Sequence, residues 1–397
     1  MHLSVAVFAQ SYHIMLVEMS KDELKELILE SLLGQGFSID NDTKSLSLVF
    51  DDKDTIRSLH SVSRTHTLDK NRNFIEKNFK DCSSFFASGK DIDINKFEPI
   101  VIPVEKQSDY AKLYRFSSLL WSIPVSNGFG RRQRFLVVDK NNNKLVGIFA
   151  LGDPVYNMRI RDKYIGWNNA DRKSRLYNLM DLFVAGAFPP YSNLLCGKLI
   201  SMIAVSNEIR NFIYNKYIHG NTIILQKEKD PTLIAITTSS AFGRSSQYNR
   251  ISFQSMKIYK PIGYSQGWGH FHLTNGLYAR IKSYLKEIES PELSKNNFGD
   301  GPNWKFRILR TAFRELNLPQ NLLFHGVQRQ LFIAPLANNY KDYFCSPDVE
   351  PQLIDYPQKT LINFFIARWF LPRAQRLSNY KSVEANRTLA ALRCRLI

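Results

Sequence analysis

The stretch from Phe135 to Leu151 constrains the fold more than any other part of the chain. Phe135-Leu-Val-Val-Asp139 and Lys144-Leu-Val-Gly-Ile-Phe-Ala-Leu151 are apolar, β-branched runs joined by Lys140 to Asn143, a spacing that predicts a hairpin with an Asn-rich turn. Further strands are expected at Leu182 to Phe188, closed by Pro189-Pro190, at Thr232 to Thr238, at Met256 to Tyr264 and at His270 to Leu273. Between them Leu195, Leu199, Ile203, Ile209 and Ile213 recur at helical spacing, which predicts one long helix over Leu194 to Tyr217. The expected class is α/β (α+β) with a mixed sheet. The 397 residues, 44% of them apolar, suffice for a sizeable core and two or three domains.

Three segments are expected. Residues 1–98 form an acidic, mainly helical accessory module, in which Ser20 and Glu23 make a capping box before Leu24, Leu27, Ile28 and Leu32. Met19 is a candidate start, with residues 1–18 a translated leader. Residues 99–290 form the mixed core, and residues 291–397 a Pro-rich, loop-rich region closing in a basic helix after Arg368. Four scattered cysteines and no C-x-x-C fit a reduced cytoplasm and exclude a cysteine-based metal site. The most apolar window, Leu182 to Val205, is interrupted by Pro189, Pro190 and Lys198, so no membrane span is expected.

The formal charge of +17 is unevenly placed: −4 over residues 1–100, +14 over 101–290 and +7 over 291–397. A local excess of this size attracts polyanions, and nucleic acid is the first partner to consider. Tyr156 to Tyr177 interleaves Arg159, Arg161, Lys163, Arg172 and Lys173 with Tyr164 and Trp167, a mixture that clamps phosphates and stacks bases. The same aromatics serve equally well in a core, with the cations facing water. Phe129 to Phe135 adds Arg131, Arg132 and Arg134 beside a glycine turn.

Two loops are candidate ligand or phosphate sites. Thr237 to Arg250 follows a buried strand and offers Ser239, Ser240, Arg244, Tyr248 and Arg250, where open α/β sheets bind ligands. A turn network that caps the next helix explains it as well. Pro189 to Lys198 brings Tyr191, Ser192, Asn193, Gly197 and Lys198 to a helix start. No Walker A or G-x-G-x-x-G motif is present. His270 and His272 lack acidic or cysteine neighbours at ligand spacing, so no metal is expected, and Asp153, Asp162, Asp171 and Asp181 read as readily as caps or ion pairs as a nuclease magnesium set.

Taken in order, Lys144 to Asp153, Arg159 to Trp167, Ala187 to Leu199, Thr237 to Arg250 and Pro261-Ile-Gly-Tyr-Ser-Gln-Gly-Trp-Gly-His-Phe-His-Leu273 resemble the DruA family of the Druantia anti-phage defence system. The resemblance implies a bacterial defence component acting beside a helicase-like partner and other system proteins, and it supplies no catalytic residues. At the level of fold, the order of strands and helix is also similar to the GNAT acyltransferases, whose pyrophosphate loop would fall at Tyr191 to Lys198. Gly197 is the lone glycine of that pattern here, so an acetyl-CoA-like cofactor is a secondary expectation. Whether the chain is an enzyme stays open. Three functions are carried forward: nucleic-acid binding through the basic core, acyl transfer assisted by Tyr248 or Asp153, and an assembly scaffold.

Overall fold

The computed structural model describes residues 19–40, 42, 45–48, 52–123, 125, 130–220, 228–294 and 302–396. The proposed leader, residues 1–18, lies outside them, as does Phe129. The chain forms two compact units, one drawn from residues 1–49 and 269–325, the other from 50–268 and 326–397.

In the smaller unit the expected capping box is present: Glu23 N–H donates to Ser20 Oγ and Ser20 N–H to the Glu23 carboxylate, opening the helix Lys21–Gly34. Its apolar face, Leu24, Ile28 and Leu32, is fully buried. A short hairpin, Phe37–Ile39 with Leu46–Leu48, and the helices Asn275–Glu287 and Pro302–Glu315 complete the unit. His270 to Leu273, expected as a strand, is instead a turn leading into the Thr274 N-cap. Here His272 is enclosed, its Nε2 2.7 Å from the Leu322 carbonyl, and burial pushes its pKa down to about 4.

The larger unit is built on seven strands: β1 (Pro99–Val104), β2 (Arg132–Asp139), β3 (Lys144–Gly152), β4 (Leu179–Ala187), β5 (Ala235–Ser239), β6 (Lys260–Tyr264) and β7 (Gln330–Pro335). Their order is β1-β2-β3-β4-β5-β7-β6, and every pair is antiparallel except β4 with β5. The class is therefore a mixed α+β sheet, as expected. Strand β7 is an addition, second from the sheet edge and inside what the prolines suggested was loop; Pro335 stands at its last position, where a missing ladder donor costs least.

The hairpin reads as continuous apolar sequence because both faces of β2 and β3 are covered. Phe135, Val137, Phe149 and Leu151 pack with Leu199, Ile203, Ile213, Phe365 and Phe370 on one face. Leu136, Val138, Ile148 and Ala150 pack with Ile75, Phe86, Leu113, Phe116 and Leu392 on the other. The single helix expected over Leu194 to Tyr217 is two, Cys196–Ile203 and Asn207–Tyr217. The chain turns between them because Ser206 takes an extended conformation as the second N-cap, while the apolar period survives the break. The C-terminal basic helix is likewise replaced by Gln358–Phe365, a π turn Ile366–Phe370 and Leu371–Arg376, followed by two four-residue turns. No helix among the described residues is long and apolar enough to cross a membrane.

Candidate nucleic-acid interface

Strands β4 and β5 pair over three positions only, Leu179↔Ala235, Met180↔Ile236 and Asp181↔Thr237. Beyond them the two strands stop pairing. Strand β4 carries a bulge opposite Ala150 and Leu151 and runs on along β3, while the chain after β5 follows β7, Ser240 N–H donating to the Gln330 carbonyl at 2.8 Å. A cavity of about 530 Å³ opens where they separate, lined by Leu182 to Gly186 on one side and Thr238 to Tyr248 on the other. Trp121, Lys53 and Arg329 close it.

The loop wall is held from behind. Gln330 Oε1 accepts from Ser245 N–H at 3.1 Å and Asn249 Nδ2 at 2.8 Å, and Gln247 Nε2 donates to the Gly197 carbonyl at 3.0 Å and Ser201 Oγ at 2.7 Å. Gly197 leaves room for this contact: a Cβ there would lie 2.6 Å from Gln247 Oε1 and would push the amide aside. Arg329 is half-buried, its Nη2 3.2 Å from His60 Nε2, and no carboxylate pairs with it among the described residues. Burial, then Arg329, pushes the His60 pKa down to about 4. The unfolded chain takes up a proton at His60 below about pH 6.5 that the folded chain refuses. Stability should therefore be full above about pH 6.5 and decline as the pH falls towards 4, by roughly 3 kcal/mol for this residue. Denaturant midpoints of wild type and His60→Gln across that range check it, the variant losing the slope.

A second recess of about 350 Å³ shares Val125 and Phe183 with the first, so the two are neighbours. Arg132, Arg134, Lys112 and Arg115 line it. The Arg132 guanidinium lies 4.0 Å from the Phe183 ring, the Arg115 guanidinium 3.9 Å from the Phe74 ring, and Lys112 pairs with Asp109 at 2.8 Å. Burial, then Arg134, lowers the Arg132 pKa without discharging it. Among the described residues no aspartate or glutamate lines either recess.

The other basic candidates divide. Arg131 is drawn inward: its Nε and backbone N–H hold Asp153, its Nη2 donates to the Tyr177 carbonyl, and its guanidinium sits 3.7 Å over the Tyr177 ring. Arg161 is fully buried, donating to the Val155 and Tyr156 carbonyls and paired at 2.7 Å with Asp162, which Arg172 holds from the other side at 2.9 Å. Trp167 packs edge-on against Phe344. Each of these four is tied into internal contacts, and Trp167 and Arg172 also line an open recess of about 550 Å³ with Arg159 and Lys163. Arg159, Lys163, Lys173, Arg244 and Arg250 are exposed, but only Arg244 joins the groove.

Of the candidate loop Thr237 to Arg250, Ser239, Ser240 and Tyr248 reach the cavity. Tyr191 to Lys198 do not. Tyr191 is buried and donates to Asp139 Oδ2 at 2.9 Å, accepting from Asn142 Nδ2 at 2.9 Å; Lys198 lies 5.0 Å over the Trp369 ring, its Nζ 3.5 Å from the Arg250 carbonyl. Asp139 is itself enclosed, and burial raises its pKa against the amides of Glu98 and Asn141 and the Tyr191 hydroxyl. Tyr191→Phe should leave that carboxylate short of a donor and cost about 1–3 kcal/mol in thermal unfolding, with no change at the groove.

The residues that sequence reasoning missed are Lys53, Lys112, Arg115, Trp121 and Arg329. Lys112 and Arg115 stand three apart on the helix Asp109–Ser118, a spacing that places them on one face, but only the fold brings that face beside Arg132 and Arg134. Among the described residues no group of three or more His, Cys, Asp or Glu could hold a metal.

Comparison with known proteins gives one consistent result. The family model described as Druantia protein DruA matches residues 50–345. The chain is also similar to the Druantia protein DruA of Escherichia coli (strain UMEA 4076-1), 39% identical over 370 residues, covering 93% of this chain and 91% of that one. No solved structure matches.

Proposed function

The chain belongs to the DruA family of Druantia proteins and is a component of that anti-phage system, and from this premise we propose that it serves the system by holding a nucleic-acid strand across the two neighbouring recesses beside β4. The observation that carries the reading is the pairing of seven cations, Lys53, Lys112, Arg115, Arg132, Arg134, Arg244 and Arg329, with the aromatic walls Phe74, Trp121, Phe183 and Phe242 and with no lining carboxylate among the described residues. Cations take the phosphates and rings take the bases without reading sequence, which is how single strands are held. As a system component the protein works with the system's other proteins. A helicase-like partner, which the resemblance implies, would deliver such a strand.

Fluorescence anisotropy of a labelled single-stranded oligonucleotide over a salt series tests this. Affinity should fall with a log–log slope steeper than about −2, corresponding to three or more neutralised phosphates at about −0.7 each. Absent or salt-insensitive binding would refute the reading.

A second reading, an acyl-CoA-dependent transferase, is favoured by the separation of β4 from β5 after three paired residues. The residues do not fit it well. Tyr191 and Lys198, which would meet the cofactor pyrophosphate, are committed to Asp139 and to the Arg250 carbonyl, and Asp153 is paired with Arg131. Titration with acetyl-CoA by calorimetry discriminates: heat at micromolar cofactor would revive the transferase.

A further inference from the structure

We propose that the 530 Å³ cavity at the β4–β5 split takes one nucleoside phosphate, with its phosphate on Arg329 and Arg244 and its base against Trp121. The volume falls in the range of small-molecule pockets, roughly 300–1,000 Å³.

The phosphate end is built around Arg329. A guanidinium carries five N–H donors and keeps its charge. Here one nitrogen meets the neutral His60 and no carboxylate compensates the rest among the described residues. A partly exposed guanidinium with no carboxylate partner has N–H donors to offer an anion in the cavity. Arg244, exposed at the rim of the same cavity, has no ion-pair partner among the described residues, and Ser239, Ser245 and Ser246 add hydroxyls to that wall.

The base end is apolar and shaped by a missing side chain. Trp121 stacks on Phe188 with centroids 4.8 Å apart and planes 15° off parallel, and its ring lies so close to β4 that a Cβ at Gly186 would come within 3.0 Å of it. Glycine at 186 therefore admits the indole to the cavity wall beside Phe183, Val184 and Ala185. Stacking on such a wall is worth about 1–3 kcal/mol per base.

The same ligand chemistry has two sources, a free nucleotide or one nucleotide of a strand lying in the adjoining recess, turned or ending into the cavity. The second source rests on the strand-binding reading above; the first does not.

The fluorescent base 2-aminopurine serves both arms, as its nucleoside 5′-monophosphate and within oligonucleotides carrying it at the 5′ end, the 3′ end or the centre. Emission should be quenched on binding the full chain. Arg244→Gln, at an exposed position, should weaken the quenched complex about tenfold, and Gly186→Val should abolish quenching by displacing Trp121, with both variants keeping the wild-type circular dichroism spectrum. Quenching of the monophosphate identifies a free nucleotide, and quenching at one strand position only identifies a strand nucleotide; either supports the proposal. No quenching of any probe, or quenching untouched by both substitutions, overturns it. Anisotropy read from the same samples separates the two claims. Salt-sensitive strand binding without quenching sinks the cavity and spares the groove, whereas quenching of the monophosphate without strand binding does the reverse.

Discussion

Replacing Arg115 and Arg134 together by alanine should weaken single-strand binding about tenfold or more at 0.1 M salt and flatten its salt slope by about 1.4, the share of two single-strand phosphate contacts. Both side chains are exposed in the second recess. Arg115 gives up one hydrogen bond to Asn71 Oδ1 and its place over Phe74, and Arg134 a distant cation–π contact with Tyr114 at 5.5 Å. Their removal should therefore cost no more than about 1 kcal/mol of stability. Anisotropy and thermal unfolding measured on one preparation separate the effects. Unchanged affinity would show that the cations of this recess are only solvated surface.

The second large effect concerns Asp162 and falls on folding. Asp162→Ala strips the carboxylate from the fully buried Arg161 and from Arg172 at once, leaving Arg161 with carbonyl partners only. Breaking a buried pair from one side costs about 3–5 kcal/mol, so a drop of several degrees in Tm is expected. Burial alone would raise the Asp162 pKa; Arg161 foremost, then Trp167 and Arg172, hold it below the ordinary range instead. Because the folded value is depressed, this stabilisation is complete above about pH 4 and is lost as the pH falls through the folded value. Urea midpoints should therefore converge for wild type and Asp162→Asn in strong acid. Arg161→Ala should likewise unfold early. An Arg161→Ala protein of unchanged stability but weak strand affinity would return Arg161 to the interface.

The segment Tyr156 to Tyr177 shows how far a one-dimensional reading reaches. Arg159, Arg161, Lys163 and Arg172 look alike in sequence, yet Arg161 is buried and Arg172 is tied to Asp162, while Arg159 and Lys163 stand outside. An Arg beside an Asp is compatible with a phosphate clamp or an internal ion pair, and packing decides. The hairpin of β2 and β3 was legible because it is local and its strands are buried on both faces. Strand β7 was not, since its pairing with β5 and β6 spans long loops and its neighbourhood is punctuated by prolines. The +14 concentrated in residues 101–290 takes in Lys112, Arg115, Arg132, Arg134 and Arg244 of the recesses but leaves out Lys53 and Arg329. The groove itself joins Lys53, Lys112, Arg132, Arg244 and Arg329, scattered over most of the sequence, and no spacing rule links them.

Photo-crosslinking bears most directly on the central claim. A 4-thiothymidine-containing single strand, irradiated with the full chain and mapped by peptide mass spectrometry, should attach within Trp121–Ile123, Leu182–Gly186 or Thr238–Tyr248, the walls of the larger of the two recesses. Attachment confined to Arg159–Lys173 or to the C-terminal residues after Arg368, or none at all, would contradict it.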